Sequence, residues 1–416
     1  MWLNVFLWIL YFIALYFAIF LLSIFVFEPD SKPKKLAHFP LVSVIIPAWN
    51  EEKDIRETVE SAKTLNYPKL QIIAVDHGSD DNTGKILDSI QGIKVLHIKR
   101  KHSDNKAVAF NAGLKHATGE FVACLDADSS VHPEALNCML PYFMESEKIA
   151  VVTPMMLVKE PKNLLQRLQK YEYITSLFIK RLTSHINCIY VAPGPFSVYR
   201  TNILKELGGF DENAIAEDME IVYRIQKNQY LARQCLNGGY SYALAPRTLS
   251  SLFKQRKRWY GGSLSNLYKY KELTMNRQYG DFGFFHMPRS LLGILTVFTT
   301  LGLFAYFVLI PVLRKIYDLY LIRFEVMPYV SSYNIAVDIF DLKNTHGMFV
   351  VLILMLISLF FFVYALSTAG EKLNKKDIPT LIIFLTVYPF LLSCMYLAVV
   401  VKKAFGGKFV WHKMER

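Results

Sequence analysis

The sequence predicts an α/β domain on a mostly parallel sheet, held between transmembrane helices at both ends. Two observations carry this. Hydrophobic residues make up 53% of the 416 residues and mean hydropathy is +0.24, too oily for an ordinary soluble enzyme and typical of a chain with membrane spans. Between the first long apolar run and the later ones, short β-rich segments alternate with helical patterns, the signature of β-α-β units covered on both faces.

The first run, Trp2 to Phe27, exceeds the roughly 20 residues a bilayer needs. No basic residue precedes it and no small-residue cleavage site follows, so residues 1–30 read as a permanent anchor rather than a signal peptide. Lys32, Lys34 and Lys35 come next, and the positive-inside rule puts the following domain in the cytoplasm. In that domain, residues 36–250, "LVSVIIP" leads to a helix from about Glu51 to Leu65, "LQIIAVD" to Asn82–Ile90, "IKVLHI" to Lys106–Ala117 and "EFVACLD" to Pro133–Met144. Residues Asn163 to Ser184 interleave Leu, Tyr, Ile and Phe with Lys and Arg at helical spacing, as a membrane-interface helix or a helix covering the sheet would.

Residues 251–288 read as interface helices and residues 289–401 as a membrane region with runs at Leu291–Leu313, Met348–Leu366 and Ile378–Val401. A basic tail, 402–416, ends the chain. Three crossings after a cytoplasmic domain put that tail outside, yet Lys402, Lys403, Lys408, Lys413 and Arg416 argue for inside. Either one segment lies along the membrane, or the stretch from Arg314 to Gly347 hides another crossing. Five scattered cysteines with no C-x-x-C spacing point to neither a disulfide framework nor a zinc site and fit a reducing compartment.

Lys and Arg outnumber Asp and Glu by 47 to 35, a net charge of +12 that implies an anionic partner such as phosphate, lipid head group or nucleic acid. In open α/β sheets ligands bind at the carboxyl ends of the strands. There the chain places Pro47-Ala48-Trp49-Asn50-Glu51, Asp76-His77-Gly78-Ser79-Asp80-Asp81 and Asp126-Ala127-Asp128. Each alone could be a helix N-cap or a chance D-x-D. Together they gather carboxylates where a divalent cation and phosphate oxygens could meet, since Asp126 and Asp128 point to one side of an extended chain.

The set "VSVIIPAWNEE", "IIAVDHGSDDNT", "KAVAFNAGLKHATGEFVACLDADS", "APGPFSVYRTNILKELGGFDENAIAEDMEIVYRI" and "QRKRW" resembles the membrane-embedded inverting glycosyltransferases of family 2, the group of cellulose, chitin, hyaluronan and poly-N-acetylglucosamine synthases. The resemblance implies a GT-A, Rossmann-like cytoplasmic domain, a UDP-sugar donor and Mg²⁺ or Mn²⁺. It gives Asp218 the role of base, with Glu217 beside it, and makes Asp128 the metal ligand with Asp126 adjoining. Pro47, Asn50, Glu51, Asp76, Lys106, Asn111 and Asp126 become the nucleotide-sugar pocket. Gln255, Arg256 and Arg258 then face the diphosphate, Trp259 supports the acceptor, and Gly194 belongs to an acceptor-side loop between Pro193 and Pro195. The helix start at Asp218 is expected to keep its carboxylate ionised, although an N-cap aspartate has the same geometry, and Lys106 also fits a solvated helix start. His77, Asn105 and Ala216 depart from the family pattern, where Asp, Gly and Thr are usual.

The implied function is processive, inverting transfer from a UDP-sugar to a β-linked polysaccharide or oligosaccharide at the lipid bilayer. Transfer of one sugar to a lipid acceptor (a glycolipid or polyprenyl-phosphate sugar synthase) is the alternative within enzymes, and a membrane-tethered basic binding protein the alternative outside them. The acidic strand ends argue against a nucleic-acid partner. Sugar identity and oligomeric state are fixed by no motif.

Overall fold

The structure is a computed structural model and describes residues 2–27, 36, 38–101, 105–321, 323 and 345–407. Helix α1 (Trp2–Phe27) leads into β1 (Val42–Ala48), α2 (Ile55–Lys63), β2 (Leu70–Asp76), α3 (Thr83–Asp88), β3 (Lys94–His97), α4 (Lys106–His116) and β4 (Phe121–Cys124). There follow β5 (Ser129–Val131), α5 (Ala135–Met139), β6 (Ile149–Thr153), β7 (Met155–Val158), α6 (Leu164–His185), β8 (Ser197–Arg200), α7 (Thr201–Glu206), α8 (Glu217–Lys227), β9 (Leu231–Gln234), β10 (Tyr240–Ala243) and α9 (Leu249–Lys269). Helices α10 (Met287–Phe304), α11 (Ile310–Leu321), α12 (Thr345–Thr368) and α13 (Ile378–Ala404) complete the described chain.

The main sheet has seven strands in the order β3-β2-β1-β4-β8-β6-β9, parallel except for β8, which runs against β4 and β6. Every residue of β1 is buried, as a central strand covered on both faces requires. Its side chains divide by the period of two. Val42, Val44 and Ile46 join one core cluster with α2 and α5, while Ile45 joins the other with α4 and α8. The expected helix over Pro133–Met144 breaks into α5 and a 3₁₀ turn, Leu140–Met144. Pro141 sits at the start of that turn and lacks the N–H that would continue the α-helix.

Helix α6 begins one residue after Asn163, whose side chain caps it by accepting from the Gln166 N–H at 2.9 Å. This segment contacts β7 and β9, and its Tyr171, Ile174, Phe178 and Leu182 pack against Ile24 of α1 and Phe361, Phe362 and Ala365 of α12. Four helical stretches are long and apolar enough to cross a membrane: Val5–Phe27, Phe282–Phe304, Phe349–Thr368 and Lys375–Ala404. The second starts nine residues before the expected Leu291, because a π-helical turn, Phe282–His286, carries the helix back past Arg289.

Helix α13 touches the α/β domain along its whole length. Just before it, Glu371 pairs with Lys170 at 2.8 Å; then the Tyr388 hydroxyl donates to Glu172 at 2.7 Å. Tyr396 meets Tyr260 edge-on at 4.7 Å, and near the end Lys403 donates to Ser265 at 3.3 Å. Lys32, Lys34 and Lys35, most of the stretch from Arg314 to Gly347, and Lys408, Lys413 and Arg416 lie outside the described residues.

Candidate active site

A cavity of about 530 Å³ opens at the carboxyl ends of β1 and β4, between the sheet, α6 and α9, and reaches α10 and α13. Pro47, Glu51, Lys106, Asp126, Asp128, Gly194, Asp218, Gln255, Arg256, Arg258 and Trp259 line it. The remaining expected site residues, Asn50, Asp76, Asn111 and Glu217, stand behind the lining and hold it.

Asn50 takes a left-handed φ of 53°. Its backbone N–H donates to Ser79 Oγ at 3.0 Å and its side-chain Oδ1 accepts from the Asp80 N–H at 2.8 Å, tying the loops after β1 and β2 together. Asp76 accepts from the Ser79 N–H at 3.1 Å and bonds His97 Nδ1 at 3.0 Å, an arrangement that raises the His97 pKa. Asn111 donates to the Phe210 carbonyl at 2.8 Å and to Glu212 at 2.9 Å, and accepts from the Phe210 N–H at 2.9 Å, fastening the loop that leads to α8. Asn105, where glycine is usual, caps α4 by accepting from the Ala107 N–H at 2.9 Å and donates to the Ala214 carbonyl at 2.9 Å. His77 stands at the cavity wall within 3.3 Å of Arg100, whose guanidinium lies 4.0 Å from the Trp49 ring centre.

Lys106 is no solvated helix-start lysine. Its ammonium bridges Asp126 at 2.7 Å and Glu217 at 3.0 Å, and although burial opposes the charge, these acids raise its pKa. Glu217 is buried, and despite that burial Lys106 and Arg258 hold it below the ordinary carboxylate range. Gly194 fits over this pair because it has no side chain: a Cβ there would lie 2.5 Å from Asp126 Oδ1 and 2.7 Å from the Lys106 ammonium.

Asp218 lies in the first turn of α8 and keeps a face on the cavity. The helix start does not make the carboxylate more acidic. Burial, and next the charge of Glu217, push its pKa up from 3.8 to about 6, against the opposing pull of Lys106 and Arg258. One helix N-terminus does not offset an adjacent buried carboxylate.

On α9, Arg256 lines the cavity while its guanidinium is paired within the protein. Both its terminal nitrogens bond Glu172 of α6 at 2.7 Å, the acid that also receives Tyr388, and the Trp259 ring covers its guanidinium at 4.4 Å. Arg258 lines the cavity and makes no hydrogen bond or ion pair among the described residues. Gln255 Oε1 is buried at the lining with no hydrogen-bond partner among them, as an acceptor awaiting a ligand donor would be. Gly262 lets α9 cross the start of α8, since a Cβ there would sit 2.5 Å from the Ala216 Cβ. That contact accounts for the small residue before Glu217-Asp218.

Among the described residues no three His, Cys, Asp or Glu side chains converge to hold a metal. Asp128 and Asp126 share one wall, with Asp126 held by Lys106, so protein supplies one or two hard oxygen ligands. That donor set suits Mg²⁺ or Mn²⁺ completed by phosphate oxygens and water. Trp49 belongs to the expected loop after β1, whereas Arg100, Glu172, Tyr190, Lys180 and Arg289, all on the lining, are marked by no motif. A signal for two of these was present: Glu172, Tyr173, Ser176, Leu177 and Lys180 fall on one helical face, which puts an acid and a base on a stripe otherwise fit for burial.

Residues 43–208 match the family described as glycosyl transferase family 2. Among curated proteins, the poly-beta-1,6-N-acetyl-D-glucosamine synthase of Staphylococcus epidermidis (strain RP62A) is 30% identical over 223 residues, covering 53% of this chain and 54% of that protein. The synthase of the same description from Staphylococcus aureus (strain COL) is 27% identical over 228 residues. The chain spans about half the length of these curated relatives. Among solved structures, the mannosyltransferase PcManGT from Pyrobaculum calidifontis, in complex with GDP-Man and Mn²⁺, shares the fold with a TM-score of 0.61 at 17% identity over 97% of this chain and 98% of that one.

Proposed function

We propose, from the match of residues 43–208 to glycosyl transferase family 2, that the chain is an inverting, metal-dependent glycosyltransferase that extends a β-linked polysaccharide or oligosaccharide from a UDP-sugar. Its catalytic domain faces the cytoplasm and its acceptor lies against the bilayer. The observation that carries the proposal is the meeting, in one cavity, of the Asp218 carboxylate, the Asp126–Asp128 pair and Arg258.

In the reaction an acceptor hydroxyl oxygen bonds the anomeric carbon, the bond from that carbon to the diphosphate oxygen breaks, UDP departs, and the hydroxyl proton passes to Asp218. A base with a pKa near 6 is ionised at neutral pH yet basic enough to take that proton as the bond forms. Arg258 supplies a fixed positive charge toward the departing diphosphate, and Trp259 an apolar face for a sugar ring. A divalent ion bound by Asp128, with Asp126 adjoining, would neutralise the diphosphate as a Lewis acid. The solved mannosyltransferase of like fold is described with GDP-Man and Mn²⁺, which supports a nucleotide-sugar donor used with a divalent ion.

A second reading, transfer of one sugar to a lipid, is favoured by the reach of the cavity to Arg289, Gly293 and Tyr396 on the membrane helices. Purified protein offered UDP-sugars with Mn²⁺ or Mg²⁺ separates these by UDP release and product size. A long glycosidase-sensitive product supports the synthase, and a single glycolipid replaces it with the second reading. No turnover with any nucleotide sugar would leave the membrane-tethered binding protein.

A further inference from the structure

Lys180 lies on α6 and lines the cavity, yet it is only 8% exposed. Among the described residues its ammonium makes no hydrogen bond or ion pair. The buried cations near it are treated differently: Lys106 is held by Asp126 and Glu217, and Arg256 by Glu172. An ammonium taken out of water without a partner works against folding, and Met or Leu would fill the same space next to Leu177 at no such cost. Asp218 lines the same cavity and makes no ion pair with Lys180 among the described residues. Two groups of opposite charge thus line one space.

We propose that Lys180 is a substrate-binding residue whose ammonium receives a phosphate oxygen brought into the cavity by a phosphorylated lipid acceptor or by the donor diphosphate. A sugar hydroxyl would return only a neutral acceptor, whereas a phosphate returns a charge-assisted bond about twice as strong and cancels the buried charge. Phe178 and Leu182, two residues to either side, lie on the opposite face of α6 and pack against α1 and α12. The cavity that Lys180 lines also reaches Arg289 and Gly293 of α10, which gives a lipid-borne phosphate a route to the ammonium beside the donor's. Burial lowers the Lys180 pKa to about 8, with Asp218 opposing, so the ammonium is charged at neutral pH and loses its proton just above.

The inference rests on the glycosyltransferase reading, and binding separates the two without needing turnover. The full chain in detergent with Mn²⁺ is titrated calorimetrically with UDP against uridine, and with farnesyl phosphate against farnesol, for wild type, Lys180→Met and Lys180→Arg. The expected result is a loss of about tenfold or more for one phosphate ligand in Lys180→Met. Uridine and farnesol should be unaffected, and Lys180→Arg should retain the affinity. Whichever phosphate loses affinity identifies the source. Wild-type phosphate affinity should also fall between pH 7 and pH 9, and the fall should vanish in Lys180→Met. A structural lysine predicts the reverse pattern, a lowered unfolding temperature in Lys180→Met with phosphate affinity intact. Wild-type affinity of Lys180→Met for both phosphates overturns the inference alone. Failure of the wild type to bind UDP overturns the glycosyltransferase reading and the inference with it.

Discussion

Glu217→Gln tests how the base is tuned. The carboxyl of Asp218 is pushed up from 3.8 to about 6, with burial the larger cause and Glu217 the next. A shift of that size corresponds to about 3 kcal/mol between the two protonation states. Replacing Glu217 leaves the burial in place and removes the like charge. It also takes one acid from Lys106, so more of the ammonium's field reaches Asp218. Both changes favour the ionised carboxylate, and since burial dominates, the expected drop is about one unit. In wild type, kcat/KM should fall tenfold per pH unit below about pH 6. In Glu217→Gln the same limb should start near pH 5, while the rate at pH 8 stays within severalfold. UDP release measured from pH 4.5 to 8.5, with Asp218→Asn as the inactive baseline, reads this directly. A limb that stays at 6 or moves upward refutes the tuning, and Asp218→Asn within tenfold of wild type refutes the base. Stability has the opposite sign. The folded state holds a proton on Asp218 that the unfolded chain releases, so this group favours folding at low pH and loses that contribution as pH rises from about 4 to 6. Asp218→Asn should therefore be more heat-stable than wild type at pH 7.

Glu172→Ala leaves the Arg256 guanidinium buried and unpaired, which should destabilise by about 3–5 kcal/mol in urea unfolding, whereas Tyr388→Phe should cost only about 1 kcal/mol. Gly262→Val would drive a side chain into Ala216, 2.5 Å from an added Cβ. UDP affinity by calorimetry should survive that change while kcat falls at least tenfold. Chelation with EDTA should abolish UDP release, and Mn²⁺ or Mg²⁺ should restore it.

The doubly covered sheet was legible because β-branched runs and helical runs alternate strictly, and Asp126, Asp128, Asp218 and Arg258 could be placed because strand ends and a helix start are marked locally. What escaped depends on distant partners. Arg256 looks like a phosphate ligand until Glu172, 84 residues earlier in the chain, is brought to 2.7 Å by the packing of α6 on α9. Asp76 and Asn111 have the residue types of a pocket, yet they bond Ser79, His97 and Phe210 in the layer behind it. The pKa of Asp218 followed the sum of burial and three neighbours, of which only Glu217 adjoins it in sequence.

The contacts along α13 lead to an expectation about sidedness. Twenty-seven residues make a rod of about 40 Å, enough to traverse a bilayer, yet Glu371 at one end and Lys403 near the other are both fastened to the same α/β domain. A rod fastened along one body is expected to keep both its ends on that body's side. The expectation is then an odd number of crossings, with Lys402 and Lys403 on the face where basic residues belong. A glycosylation acceptor or a fluorescent reporter inserted after Gly407 should report the same compartment as one placed in the Glu145–Lys148 loop, and opposite compartments for the two would show that α13 passes through.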